Sequence, residues 1–218
     1  MDKQEILLST AYLPPLQYLS KFIQYKTIWL ETQENFIKQT YRNRTIILAA
    51  NGPETLVVPT EKSRGHKQKI KDLSISYDTN WQHIHWNAVV SAYSSSPFFG
   101  ILEDDFRPFF RKKFKYLFDF NLQLLQVVLD ILEIPVLLKY TEAFESIPES
   151  CLNARELIHP KQRKSAPDPS FLPHPYTQVF DDKFEFVPNL SILDLLFNCG
   201  SASYEILLKS VKSGINIG

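Results

Sequence analysis

Two spacings of apolar residues divide this chain into short strands and short amphipathic helices. Glu5 to Thr10 is a compact apolar run that reads as a buried strand, and Thr27 to Glu31 reads as a second. Between them Leu16, Leu19, Phe22 and Ile23 mark one face of a helix, with Pro15 suited to its first position. A strand–helix–strand opening predicts an α/β arrangement. Thr45 to Ala50 and Thr55 to Pro59 are β-branched runs joined by Asn51-Gly52-Pro53, a hairpin signal in which Gly52 takes positive φ. Ile70 to Tyr77 alternates as a further strand.

The clearest helical pattern begins after Asn80, which is expected to cap it. Trp81, His85, Ala88, Val89, Ala92 and Tyr93 share one face, and Ser94-Ser95-Ser96-Pro97 ends the helix. From Asp104 to Phe120 aromatic and basic residues interleave. Phe106, Phe110, Phe114 and Leu117 fall at helical spacing there, which predicts an amphipathic helix with a wet basic face. Asn121 to Ile134 is a second apolar-faced helix stopped by Pro135, and Val136 to Tyr140 reads as a strand. Leu152 to Ile158 is expected to be a short helix, and Tyr176 to Phe180 a short apolar–polar alternation. Leu190 to Phe197 is a compact helix closed by Gly200, and Ser203 to Val211 a final short one. The reading is one α/β (or α+β) domain over residues 1–218, a mixed β-sheet flanked by helices, with a long Pro- and Ser-rich loop at about 159–175.

Charge and composition then remove several function classes. Lys+Arg and Asp+Glu are both 24 in 218 residues, so no global field attracts nucleic acid or an acidic membrane. The basic stretches 62–71 and 104–120 would act only locally. Cys151 and Cys199 lack the paired spacing of a zinc site or a disulfide framework. His66, His83, His85, His159 and His174 show neither HxxxH nor HExxH spacing, and no Gly-rich phosphate loop is present. No apolar run approaches the roughly 18 residues of a spanning helix, and the start has no signal-peptide pattern. A cytoplasmic protein is expected, with no metal site, no nucleic-acid partner and no cofactor that the residues name.

Two features carry candidate chemistry. Arg42 and Arg44 project to one side of an extended stretch, where guanidinium forks suit phosphate or carboxylate, or simply solvate an edge strand. His85 lies on an apolar stripe between Trp81 and Val89. It is either a hydrogen-bonded core residue or a titratable group at the floor of a pocket.

Six blocks in order resemble the bacterial WbqC-like family, in a form closest to its Bacteroidetes-type branch. They are Tyr12 to Tyr18, Ile37 to Arg44, Asn51-Gly52-Pro53, Trp81 to Trp86 with Ala92 to Phe99, Tyr176 to Phe180, and Pro188 to Asn198. The resemblance implies a part in O-antigen or other surface-polysaccharide synthesis, as a sugar-modifying transferase moving an acyl, aminoacyl or glycyl group to a nucleotide-linked sugar. The motif positions it carries over are Gln17, Arg42, Asn43, Arg44, His85, Tyr93, Asn189, Asp194 and Asn198. The continuation Cys199-Gly200-Ser201-Ala202 departs from the more acidic pattern expected there.

The residues leave two functions open. In the first, His85 is the general base of the transferase and Asp194 orients it or binds a sugar hydroxyl. Arg42 and Arg44 then hold a nucleotide-sugar or another anionic small molecule, with Gln17, Asn43, Tyr93, Asn189 and Asn198 supplying further binding contacts. In the second, the protein is a non-catalytic carbohydrate- or partner-binding protein of the same pathway, and its aromatic residues stack on sugar.

Overall fold

The computed structural model describes residues 4–61, 68–144, 151–161 and 167–212. Strand β1 (Glu5–Ser9) lies inside a four-stranded sheet, with β2 (Thr27–Glu31) on one side and β6 (Cys151–Asn153) on the other. Strand β5 (Leu137–Tyr140) lies beyond β2, and all three pairings are parallel. Ile6, Leu7 and Leu8 are all buried, which explains why β1 is an uninterrupted apolar run rather than an alternating one. Helix α1 (Leu16–Gln24) makes the crossover from β1 to β2, and all its residues except Ile23 are buried. It packs against α5 (Ile192–Cys199) and α6 (Ser203–Lys209), so a nine-residue helix is covered by the far end of the chain.

A separate antiparallel hairpin is formed by β3 (Arg44–Ala49) and β4 (Gly52–Val57), with Gly52 at φ 108. Parallel and antiparallel pairing therefore both occur, divided between two sheets. Helix α2 (Trp81–Tyr93) packs on β3, and Tyr93 Oη accepts the Leu48 backbone N–H at 3.2 Å. Helix α3 (Phe99–Phe106) and helix α4 (Leu117–Ile131) follow. The fold class is the α/β arrangement that the opening strand–helix–strand predicts.

Several local expectations change. Asn80 precedes α2 but its side chain makes no capping bond. Residues 70–77 form a 3-10 turn, Ile70–Asp72, followed by single bridges of Ser74 to Tyr116 and Ile75 to Thr60, so there is no strand there. The helix expected over 104–120 is broken. It ends at Phe106, continues as a 3-10 turn over Arg107–Phe110, and α4 starts only at Leu117. Pro108, which has no amide hydrogen to donate, accounts for the break. Phe106, Phe110, Phe114 and Leu117 are all buried nevertheless, so the apolar spacing marks the core even without a continuous helix. Leu152 to Ile158 is likewise no helix: it supplies β6 and then a turn, because the strand pairs with β1. Tyr176 to Phe180 forms no strand. Residues 62–67 of the basic loop, with His66, and 162–166 of the long loop lie outside the described residues.

The turn between β1 and α1 is clamped from two directions. Leu13 is fully buried at φ 40, in left-handed territory that costs a non-glycine residue about 1 kcal/mol or more. Its carbonyl accepts the hydroxyls of Thr45 at 2.7 Å and Ser191 at 3.1 Å, and the Ile192 N–H reaches the Pro14 carbonyl at 2.8 Å. The hairpin and α5 thus hold in place the connection on which the carboxyl end of β1 opens.

Candidate functional site

The strand order turns back at β1, since β2 and β5 lie to one side and β6 to the other. In open parallel sheets ligands enter the crevice outside the carboxyl ends of strands at such a reversal. Here a small cavity of about 20 Å³ opens between Leu8–Ala11, after β1, and Ala154, Arg155 and Ile158, after β6. Beside it lies a groove of about 610 Å³, bounded by Glu34, Asn35, Phe36, Ile37, Phe144, Asn153, Arg155, Glu156 and Leu157. That volume is in the range of small-molecule sites.

An ionic network closes the back of this groove. Ser9, the last residue of β1, donates its hydroxyl to Glu34 Oε2 at 3.1 Å and accepts from Arg42 Nη2 at 2.7 Å. Arg42 grips Glu34 through Nε and Nη2, each at 2.7 Å, and Nη2 also reaches Glu156 Oε1 at 3.0 Å. Burial pulls the Arg42 guanidinium toward losing its charge, but the bonds and charges of Glu34 and Glu156 outweigh it and leave its pKa raised. Glu31, the last residue of β2, accepts from Arg155 Nη1 at 2.8 Å and from the Thr141 hydroxyl at 2.7 Å. Arg155 also binds the Asn153 side chain through Nε at 3.1 Å and lies 4.2 Å over the Phe144 ring. The fork of Arg42 does engage a carboxylate, but it is the chain's own.

The other expected residues sit elsewhere. His85 is buried; its Nδ1 lies 3.0 Å from Tyr12 Oη, and Trp81 meets the ring edge-on at 5.1 Å. Burial pushes its pKa down to about 4, with the Val57 carbonyl acting as an acceptor in the opposite direction. The ring is therefore neutral near pH 7, and it lines neither cavity described above. Asp194 is fully buried in the first turn of α5. Its Oδ2 accepts from Tyr176 Oη at 2.7 Å and Gln178 Nε2 at 2.9 Å, while Oδ1 has no hydrogen-bond partner among the described residues. Burial raises its pKa, and it in turn helps to raise that of Tyr93. Asn198 donates to the Asp194 backbone carbonyl at 2.7 Å.

Gln17 and Asn189 do meet, in a helix-capping arrangement. Asn189 Oδ1 accepts the Gln17 backbone N–H at 2.8 Å, and Gln17 Nε2 donates to Asp168 at 2.9 Å. Asp168 also pairs with the buried Lys21 at 2.6 Å. Asn189 thus caps α1, while Ser191 caps the helix that Asn189 precedes in sequence. Asn43 donates to the Val58 carbonyl at 2.9 Å, closing the hairpin, and Arg44 begins β3 with Nε unpartnered among the described residues. Among the described residues, Arg42, His85 and Asp194 share no hydrogen-bonding or ionic partner.

The groove residues Glu34, Asn153, Arg155 and Glu156, and Ser9 and Glu31 bonded to them, escape a motif-by-motif reading. For Ser9 and Glu31 a signal existed: they are the last positions of parallel strands. Among the described residues no group of His, Cys, Asp and Glu is placed to hold a metal ion, and no helix is long and apolar enough to cross a membrane. The Cys199 thiol is pushed up to about 11 by burial and by Asp194.

Fold and crevice define an α/β protein with a ligand-sized groove at the reversal point of a parallel sheet. The chain belongs to the WbqC-like protein family, which matches residues 10–206. It is 26% identical over 231 residues to the uncharacterised protein Rv1507c of Mycobacterium tuberculosis, covering 94% of this chain and 97% of that protein. No solved structure matches. Family membership points to polysaccharide- and O-antigen-related processes.

Proposed function

We propose that this protein handles a sugar in surface-polysaccharide synthesis, as a transferase that places an acyl or aminoacyl group on a nucleotide-linked sugar seated in the groove. The composition of the groove wall carries the reading. Planar polar groups of Glu34, Asn35, Asn153, Arg155 and Glu156 stand beside Phe36, Ile37 and Phe144. Sugar hydroxyls need donors and acceptors in fixed planes, and a pyranose C–H face packs on aromatic rings. A second reading, non-catalytic sugar binding, is favoured by the burial of His85 and Asp194 away from the groove. The two readings share a ligand and differ in turnover.

A thermal-shift screen against sugars, nucleotide-sugars and acyl donors tests both, beside Phe144→Ala, which alters an exposed groove residue. A ligand at 100 times its dissociation constant adds about 2.7 kcal/mol. Stabilisation by a saccharide that Phe144→Ala weakens supports the groove, and product formed with a donor selects the transferase. No shift with any saccharide defeats both readings.

A further inference from the structure

The charges on the groove are unevenly matched. Arg42 spends Nε and Nη2 on Glu34, and Arg155 spends Nη1 on Glu31. Both of these carboxylates are buried, so each guanidinium is neutralised from behind the wall. Glu156 is a third carboxylate, with its side chain 64% exposed. One of its oxygens lies 3.0 Å from Arg42 Nη2, and the other has no partner among the described residues. Glu31, Glu34 and Glu156 against Arg42 and Arg155 leave a surplus of one negative charge in the described network on and behind the groove wall. Donors remain as well. Arg155 lines the groove and bonds through Nε and Nη1, so its Nη2 carries no bond among the described residues.

We propose that the groove selects a saccharide bearing a free amino group, with the ammonium against Glu156 and neighbouring hydroxyls accepting from Arg155 Nη2. The proposal rests on the sugar reading above and names its substrate class. An anionic sugar, or a phosphate pushed into the groove, would face Glu156 while Arg155, the cation among the described lining residues, is already paired with Glu31, and a neutral N-acyl sugar would forgo the ion pair. The nucleotide portion of a nucleotide-linked substrate accordingly lies outside the groove.

Calorimetric titration of the full chain with glucosamine, N-acetylglucosamine and glucuronate, below the pKa of the amine, tests the order amine, then neutral, then acid. Glu156→Gln is expected to weaken glucosamine about fivefold and to erase its advantage, the scale of an exposed ion pair. Glu156→Lys should reverse the order, and added salt should narrow it in the unaltered protein. Both variants leave the Arg42–Glu34 grip in place, so folding is kept. N-acetylglucosamine binding as tightly as glucosamine, or glucosamine indifferent to Glu156→Gln, overturns the amine preference while leaving the sugar reading intact. No binding by any of the three removes both.

Discussion

Burial drives His85 and Asp194 toward the same uncharged state from opposite sides of neutrality. The His85 pKa falls from 6.5 to about 4, so between those values the unfolded chain holds the proton and the folded one does not. Its contribution, about 3 kcal/mol, is present above pH 6.5 and is lost as pH falls toward 4. Melting temperature should drop across that window, and His85→Asn should flatten the drop while lowering stability at pH 7. A pH profile unchanged by the substitution would show that His85 is already solvated. Asp194 behaves in reverse: its raised pKa means that its protonated form favours folding, and that stability is lost as pH rises through the folded pKa. A carboxylate with no cationic partner is expensive to bury. Asp194→Asn, which keeps an acceptor for Tyr176 and Gln178, should leave the melting temperature unchanged or raise it at neutral pH. A large fall would mean that the charge itself is needed.

At the level of elements, α5 ends where a side chain cannot be accepted. Gly200 has φ 52 and ψ −124, and a Cβ there would run into the Phe98 ring. Gly200→Ala should cost about 2–4 kcal/mol, read from the urea midpoint, since strained backbone and overpacking add. This stop is legible in the sequence because the apolar face of 190–197 finishes just before a glycine. The β1–α1–β2 opening and the hairpin are legible for the same kind of reason, period and punctuation. Residues 104–120 show the limit: the spacing of Phe106, Phe110, Phe114 and Leu117 reports burial, but Pro108 and an extended Tyr116 divide the segment into separate pieces. Residues 152–158 mislead because a three-residue strand at the edge of the sheet has too few positions to show a period. That error hides Arg155 and Glu156, and with them one side of the groove. Pairings such as Asn189 with Gln17, 172 positions apart, leave no local trace at all.

Across the whole molecule, the groove network ties together stretches that secondary structure leaves separate: Ser9, Glu34, Arg42 and the turn at Arg155–Glu156. Arg42→Met would strand Glu34 as a buried lone charge, costing about 3–5 kcal/mol by denaturant unfolding. Adding Glu34→Leu should recover most of that loss, and failure to recover it would assign the pair a packing role that apolar groups cannot replace. Aromatic faces carry the basic surface at 112–115. Lys112, Lys113 and Lys115 lie over the rings of Phe114, Tyr77 and Tyr116, an arrangement that holds them to the protein's own aromatic surface. The clamp on Leu13 bears on the order in which a ribosome delivers the chain. The first turn made is fastened by Ser191, 178 positions later, and the first strand gains its second neighbour only when Cys151 to Asn153 emerge. During synthesis the opening strand and helix must therefore wait, strained turn open and crevice half-walled, until Ser191 has been translated. Mutations near residue 190 should consequently be felt first as failures of the opening strand and helix.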